Sequence, residues 1–385
     1  MPVLSPRLAS SLAVAAYDIR GPISETQRLP SLKRASRDFS FNLNSGVIEG
    51  TSGGYFWRQK TGFALIGKGV SPTYKNDHVI AIRGTATAAD GITDISCRPT
   101  NGDNGSMVHV GFQRTLESIR EDIASYLRKT DGGRGNGTIH CIGHSLGGAI
   151  ASLVADWLKA SPEFKTKVNV YTFGAPRVGL KDFAIKTSSR IDGIYRSVHG
   201  ADPVPKIPVW PYYHAHINGK EYILDRTQGV DTSAHDKGRY MDNANHSSWD
   251  NMSTQQASNV QQRVVLNYQN RLQTTYSTHW ADRIAAAIMT IMIDGGFSGF
   301  VTALQAGGAA IGTVYDAIAM TMAKIGQASS KLAEQIKGLL GHMLVFAGKG
   351  ANITIELTEK FIRWVFKVTL GRLHKAAKQA LNNQL

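Results

Sequence analysis

Thr138-Ile139-His140-Cys141-Ile142-Gly143-His144-Ser145-Leu146-Gly147-Gly148-Ala149-Ile150 is the stretch that decides the fold. Its first five residues read as a buried strand and Ala149–Leu158 as an apolar helix, with only a glycine-rich turn between them. A strand-to-helix turn this tight needs glycine on both sides of its central residue, so that backbone and serine can adopt strained torsions. The serine hydroxyl is then projected above the carboxyl edge of a sheet, and the helix N-terminus offers free N–H groups to an oxyanion. A Gly-x-Ser-x-Gly pentapeptide alone is a weak signal; the strand before it and the helix after it give it weight.

Working outward, Phe63-Ala64-Leu65-Ile66, Val79-Ile80-Ala81-Ile82, Val168–Phe173 and Ile194–His199 are further short runs rich in branched or aromatic residues. Gly, Pro or Asn bounds most of them, as expected of buried strands. Between the second and the elbow strand, Phe112, Leu116, Ile119, Ile123 and Leu127 recur at helical spacing over Val110–Lys129. Strands alternating with helices predict an α/β fold with a mostly parallel central sheet over residues 1–252. The Gln-, Asn-, Ser- and Thr-rich segment 253–279 carries Val260, Val264, Tyr268 and Leu272 on one stripe and is expected to be a polar connecting helix. Residues 280–385 change character to helical, apolar and basic.

The chain has 385 residues, 19% of them charged and 42% hydrophobic, which excludes intrinsic disorder and suits one large domain with an appendage. Two cysteines cannot make a disulfide scaffold; Cys97 and Cys141 are expected to be reduced, in a protein folded in a cytosol. No cationic segment precedes the apolar stretch near the N-terminus, so no Sec signal peptide is expected and export would need another route. The net charge of +14 implies attraction to a polyanion. Basic residues are not interleaved with exposed aromatics and no binding motif accompanies them, which argues against nucleic acid and leaves an anionic bilayer.

In the C-terminal region, Gly295–Tyr315 has no charge until Asp316, a length that could cross a bilayer, but its six glycines weaken a helix. Lys360–Leu381 is amphipathic: Ile362, Val365, Phe366, Leu370, Leu373 and Ala377 share one face, and Lys360, Arg363, Lys367, Lys375 and Lys378 gather on the other. Such a helix either packs on its neighbours or lies on a membrane surface.

The elbow, Tyr171–Gly179 (YTFGAPRVG), Asp202-Pro203-Val204-Pro205, Ile82-Arg83-Gly84-Thr85 and Val108–Phe112 (VHVGF) together resemble the class 3, fungal-lipase-like α/β-hydrolases in their usual order. The resemblance covers roughly residues 8–250 and implies ester hydrolysis by a Ser-Asp-His triad. Ser145 would be the nucleophile, and Asp202 the carboxylate, in the chain order expected of this fold. Candidate bases are His214, His216, His235 and His246. His246, with Trp249 three residues on, best resembles the family's C-terminal histidine. His214-x-His216 could bind zinc, but no third ligand is placed, and no metal or cofactor is expected. The resemblance also implies an oxyanion hole from the N–H groups of Leu146 and Thr85, has Arg83 buttress the loop, and places Asp90 and Asp94 in the lid region. Residues 86–106 lack the amphipathic lid helix that interfacial activation would use.

Together these features predict a lipolytic hydrolase acting on membrane phospholipids, a phospholipase A or lipase. The same features resemble bacterial class 3 lipase-like toxins delivered by specialised secretion systems to a target-cell membrane, which implies an immunity protein and an export carrier. The alternatives are a membrane-inserting or pore-forming protein that carries a hydrolase domain, and a soluble carboxylesterase.

Overall fold

The computed structural model describes residues 2–20, 30–52, 59–84, 99–133, 137–217, 220–246, 248–256, 262–297, 314–350 and 352–384. One mixed sheet organises the hydrolase part. Strands β1 (Phe39–Ser40), β2 (Val47–Ser52), β3 (Gln59–Gly69), β4 (His78–Ile82), β7 (Thr138–His144), β8 (Lys167–Phe173), β9 (Gly193–His199), β10 (Lys220–Asp225) and β11 (Thr254–Gln256) belong to it. Two more, β5 (Pro99–Asn101) and β6 (Met107–His109), form a separate hairpin. The run β4-β7-β8-β9-β10 is parallel, while β3 and β11 flank it antiparallel.

Side chains along these strands alternate between two cores, as the two-residue strand period requires. Ile80, Ile82, Ile139, Cys141, Val168 and Val170 face one side, where helices α2 (Val110–Lys129) and α3 (Leu146–Ala160) pack. Val79, Ala81, Ile142, Tyr171 and Phe173 face the other, beneath helix α1 (Pro6–Ala15). Pro6 opens α1, whose missing N–H costs nothing there, and the Ser5 hydroxyl accepts from Leu8 N–H at 3.2 Å.

Where they are described, residues 253–279 do not form the expected connecting helix. They give the edge strand β11, which pairs with β10, and a 3₁₀ turn at Tyr268–Gln273. Their Ser, Thr, Asn and Gln side chains compete for backbone hydrogen bonds and weaken a helix, and the stripe that suggested one is not a face, since Leu272 is 67% exposed. Val260 lies outside the described residues. Leu266 is buried instead, because the chain crosses a later helix as an extended strap directly over Gly338, where any Cβ would strike the Leu266 carbonyl.

The C-terminal region is helical where it is described: α6 (Thr278–Asp294), α7 (Val314–Ala328), α8 (Ser330–Phe346) and α9 (Glu359–Asn382), with α4 (Lys181–Arg190) and α5 (Lys237–Asn243) preceding them. Ile284, Ile288, Met292, Ile318, Leu339, Phe366 and Leu370 are buried in the same core as α2 and α3. Burial of each such side chain stabilises by about 1.5–3 kcal/mol. Asp282 on α6 fastens the contact, accepting from Arg177 at 2.9 Å and from Lys206 at 2.8 Å. Among the described residues no helix is long and apolar enough to cross a membrane. Residues 298–313 of the glycine-rich run lie outside them.

Candidate active site

The elbow between β7 and α3 has the strain that its glycines anticipate. Ser145 sits at φ 61° and ψ −133°, a conformation that costs a non-glycine residue on the order of 1–3 kcal/mol. A Cβ on Gly143 would collide with the Gly147 backbone, and one on Gly147 with the Ile82 carbonyl. Ser145 N–H donates to the Phe173 carbonyl at 2.8 Å, which ties the elbow to β8. Leu146 begins α3, so its N–H has no intrahelical acceptor and is free for an oxyanion.

The base is His235. Its Nδ1–H donates to Asp202 Oδ2 at 2.8 Å, and its Nε2 accepts from the Ser145 hydroxyl at 2.8 Å. All three residues are buried, with exposures of 2% for Ser145 and 0% for Asp202 and His235. Asp202 follows β9, and its Oδ1 accepts the Val204 N–H at 2.9 Å, the bond by which the Pro203–Pro205 turn presents the carboxylate. Gly174, at φ 62°, passes so close to Asp202 and Tyr240 that a side chain there would displace one of them.

His246 is therefore corrected as the base. It lies exposed after α5, with its carbonyl accepting from Arg7 N–H at 3.3 Å. The aromatic three residues on, Trp249, serves a different purpose. It is buried against Tyr171, Tyr195 and Tyr222, and its Nε1–H donates to the Leu4 carbonyl at 2.7 Å, anchoring the N-terminal segment. His235 instead closes a short turn between two caps: the Asp231 carboxylate accepts from Ser233 N–H, and the Asp236 carboxylate accepts from Arg239 N–H. An Asp-x-x-x-His-Asp pattern fixing a histidine between a turn and a helix N-terminus was the available signal.

A second layer of groups was not foreseen. Tyr240 donates its hydroxyl proton to Asp202 Oδ2 at 2.8 Å and accepts from His199 N–H at 3.0 Å. Burial, with the Asp202 charge beside it, pushes its pKa far up, so the phenol stays a donor. His144, inside the elbow, donates through Nε2–H to the His235 carbonyl at 2.9 Å and accepts at Nδ1 from the Tyr17 hydroxyl at 2.8 Å. Burial and the neighbouring His235 hold its pKa well below the usual imidazole range, so it is neutral and acts as a strut. Arg83 is buried, donating to the Gly62 carbonyl at 3.0 Å and the Gly84 carbonyl at 3.3 Å.

Thr85, the expected second oxyanion donor, lies outside the described residues, as do Asp90, Asp94, Cys97 and residues 86–98 of the lid region. Cys141 is a buried free thiol, and burial pushes its pKa up. His214 Nε2 bonds the Pro205 carbonyl at 3.0 Å. Among the described residues no three His, Cys, Asp or Glu are grouped to hold a metal.

A hydroxyl on an elbow, an imidazole in reach of it and a carboxylate orienting the imidazole are the arrangement that serine hydrolases of the α/β-hydrolase fold use. Residues 79–212 match the family model described as lipase (class 3). A secreted mono- and diacylglycerol lipase of Fusarium solani is 30% identical over 153 residues, 39% of this chain and 45% of that protein. A chloroplastic phospholipase A(1) of Arabidopsis thaliana is 32% identical over 159 residues, 36% of this chain and 35% of that one. The chain thus spans less than half the length of either relative. A solved structure from a family of fungal lipases is 23% identical, covering 57% of this chain and 78% of that one with a TM-score of 0.45. The family match ends before His235, which only the folded chain identifies.

Proposed function

We propose that the protein is a lipolytic carboxylic ester hydrolase that cleaves acyl esters of membrane phospholipids. The Ser145–His235–Asp202 hydrogen-bonded series, 2.8 Å at each link, carries this reading. Ser145 Oγ attacks the ester carbonyl carbon while His235 Nε2 takes its proton, and Asp202 stabilises the imidazolium that forms. The Leu146 N–H faces the oxyanion of the tetrahedral intermediate. Collapse breaks the ester C–O bond, and His235 returns the proton to the departing alcohol, a lysolipid. Water, deprotonated by the same imidazole, then attacks the acyl-serine, releasing fatty acid and regenerating Ser145.

The match of residues 79–212 to class 3 lipases supports lipid esters as substrates, and the net charge of +14 favours an anionic bilayer over neutral storage fat. The test is mass spectrometry of phosphatidylglycerol vesicles incubated with the protein and with Ser145→Ala. Fatty acid and lysolipid are expected from the unaltered chain alone, with turnover lower by up to about 10⁶ in the variant. Vesicle leakage from both proteins without products would instead favour membrane insertion by the C-terminal helices. Export by a specialised secretion system as an antibacterial toxin, with an immunity protein guarding the producer, extends the proposal. Expression in a bacterial periplasm should then arrest growth through Ser145, and loss of toxicity only on removing Ser145 is the expected result.

A further inference from the structure

Helix α9 has one face that the hydrolase core does not use. At 100° per residue, Lys360, Trp364, Lys367, Gly371, Lys375 and Lys378 fall within a stripe about 80° wide, running about 27 Å along the helix. The opposite side, with Ile362, Val365, Phe366, Thr369, Leu373 and Ala377, is buried. All four lysines of the stripe are exposed, and Trp364 is 38% exposed among them. No Asp or Glu occurs in the sequence after Glu359, and Glu359 itself pairs with Arg363, as does Asp316. Lys360, Lys367 and Lys375 have no carboxylate partner among the described residues. Neighbouring α8 shows what a solvated face looks like in this protein, with Lys337 paired to Glu334 one turn away. A stripe of one sign with an indole in its midst is different: lysines suit lipid phosphates, and tryptophan suits the headgroup boundary.

The inner side of the same helix reaches the catalytic loop. It packs on the turn Thr232–His235, which ends at the triad histidine, and on Val204–Lys206, two residues past Asp202. Just beyond it, Gln384 Oε1 accepts the Lys237 N–H at 3.0 Å, two residues from His235.

We propose that the Lys360–Trp364–Lys367–Lys375 stripe is a docking surface for an anionic phospholipid bilayer, placing the triad loop about one helix diameter from the lipid. This rests on the phospholipid reading of the active site but is separable from it, because docking needs no turnover. A helix diameter of about 10–12 Å brings the His235 turn within the length of an extended acyl chain.

The experiment uses the full-length chain carrying Ser145→Ala, floated with phosphatidylglycerol vesicles and with phosphatidylcholine vesicles. Binding to phosphatidylglycerol is expected to exceed binding to phosphatidylcholine by at least tenfold and to weaken as salt is raised. Adding Lys360→Glu, Lys367→Glu and Lys375→Glu should weaken it on the order of a hundredfold, at about fivefold per lysine. Equal binding to the two vesicle types, no binding to either, or equal binding by the triple variant would overturn the proposal. Turnover of p-nitrophenyl butyrate by the triple variant with Ser145 intact should be unchanged, which shows that it folds. If it does not fold, the three Lys→Gln substitutions decide by the same flotation. Docking by the chain with Ser145 intact, without fatty-acid release from the same vesicles, would refute the reaction and leave the surface standing.

Discussion

His235 and His246 lie eleven residues apart, each followed by a buried aromatic, yet one is sealed in the triad and the other is exposed to solvent. The difference is in what the aromatic touches. Tyr240 bonds Asp202, so it and His235 converge on one carboxylate; Trp249 lies in the same buried cluster but bonds the Leu4 carbonyl instead. An aromatic after a histidine therefore marks an anchoring point without saying what is anchored. The turn that ends at His235 is set between an Asp231 cap and an Asp236 cap, whereas the described bonds of His246 are main-chain ones, to Ala244 and Arg7.

Exchanging the roles of the two regions should be easy to detect. His235→Ala removes the base and is expected to lower ester turnover by roughly 10⁴–10⁶, as loss of one triad member does in a serine hydrolase; stopped assays on a p-nitrophenyl ester would measure it, and activity above one per cent would assign the base elsewhere. Trp249→Ala should act on stability instead. Loss of a buried tryptophan costs about 3–5 kcal/mol, visible as a shifted urea midpoint with little change in turnover per folded molecule.

Tyr240→Phe keeps the ring and removes one donor to a charged carboxylate. A hydrogen bond of that kind contributes about 1.5–3 kcal/mol, so kcat/KM should fall about ten- to a hundredfold. His246→Ala, the smallest effect, should leave both turnover and stability within about twofold and 0.5 kcal/mol.

Acid separates the buried histidines from the exposed one in another way. Burial, with Lys68 nearby, lowers the His78 pKa to about 4, and burial also lowers His144, His199 and His214. Each imidazole takes a proton more readily in the unfolded chain, near 6.5, than in the folded one. Stability is therefore full above about pH 6.5 and should decline as pH falls from there toward 4, by on the order of a few kcal/mol from His78 alone. Urea midpoints recorded between pH 7.5 and 4 would show it; a midpoint that rises on acidification would contradict the assignment of these groups as neutral.

Much of the hydrolase part was legible because its signals are local. Strands β3, β4, β7, β8 and β9 announce themselves by short branched or aromatic runs, α2 by its 3.6 period, and the elbow by two glycines that the turn requires. Asp202 followed from chain order and a proline-fixed loop. The base did not, because His235 meets Ser145 across 90 residues of sequence, and no spacing encodes that approach. The strap over 253–279 failed for a related reason: Gly338 and Gly341, far along the chain, create the groove that an extended segment fills. His144, Tyr17 and Tyr240 were equally hidden, since each owes its role to partners brought in by tertiary packing.

The bond between Gln384 and Lys237 has a consequence for how the protein is made. The nucleophile is synthesised at position 145, and the group that steadies the loop of its base only at position 384. At ribosomal speeds of about 5–20 residues per second, the interval is on the order of ten seconds to a minute. A nascent chain that has released its elbow strand thus carries a serine whose partner loop is still unclamped.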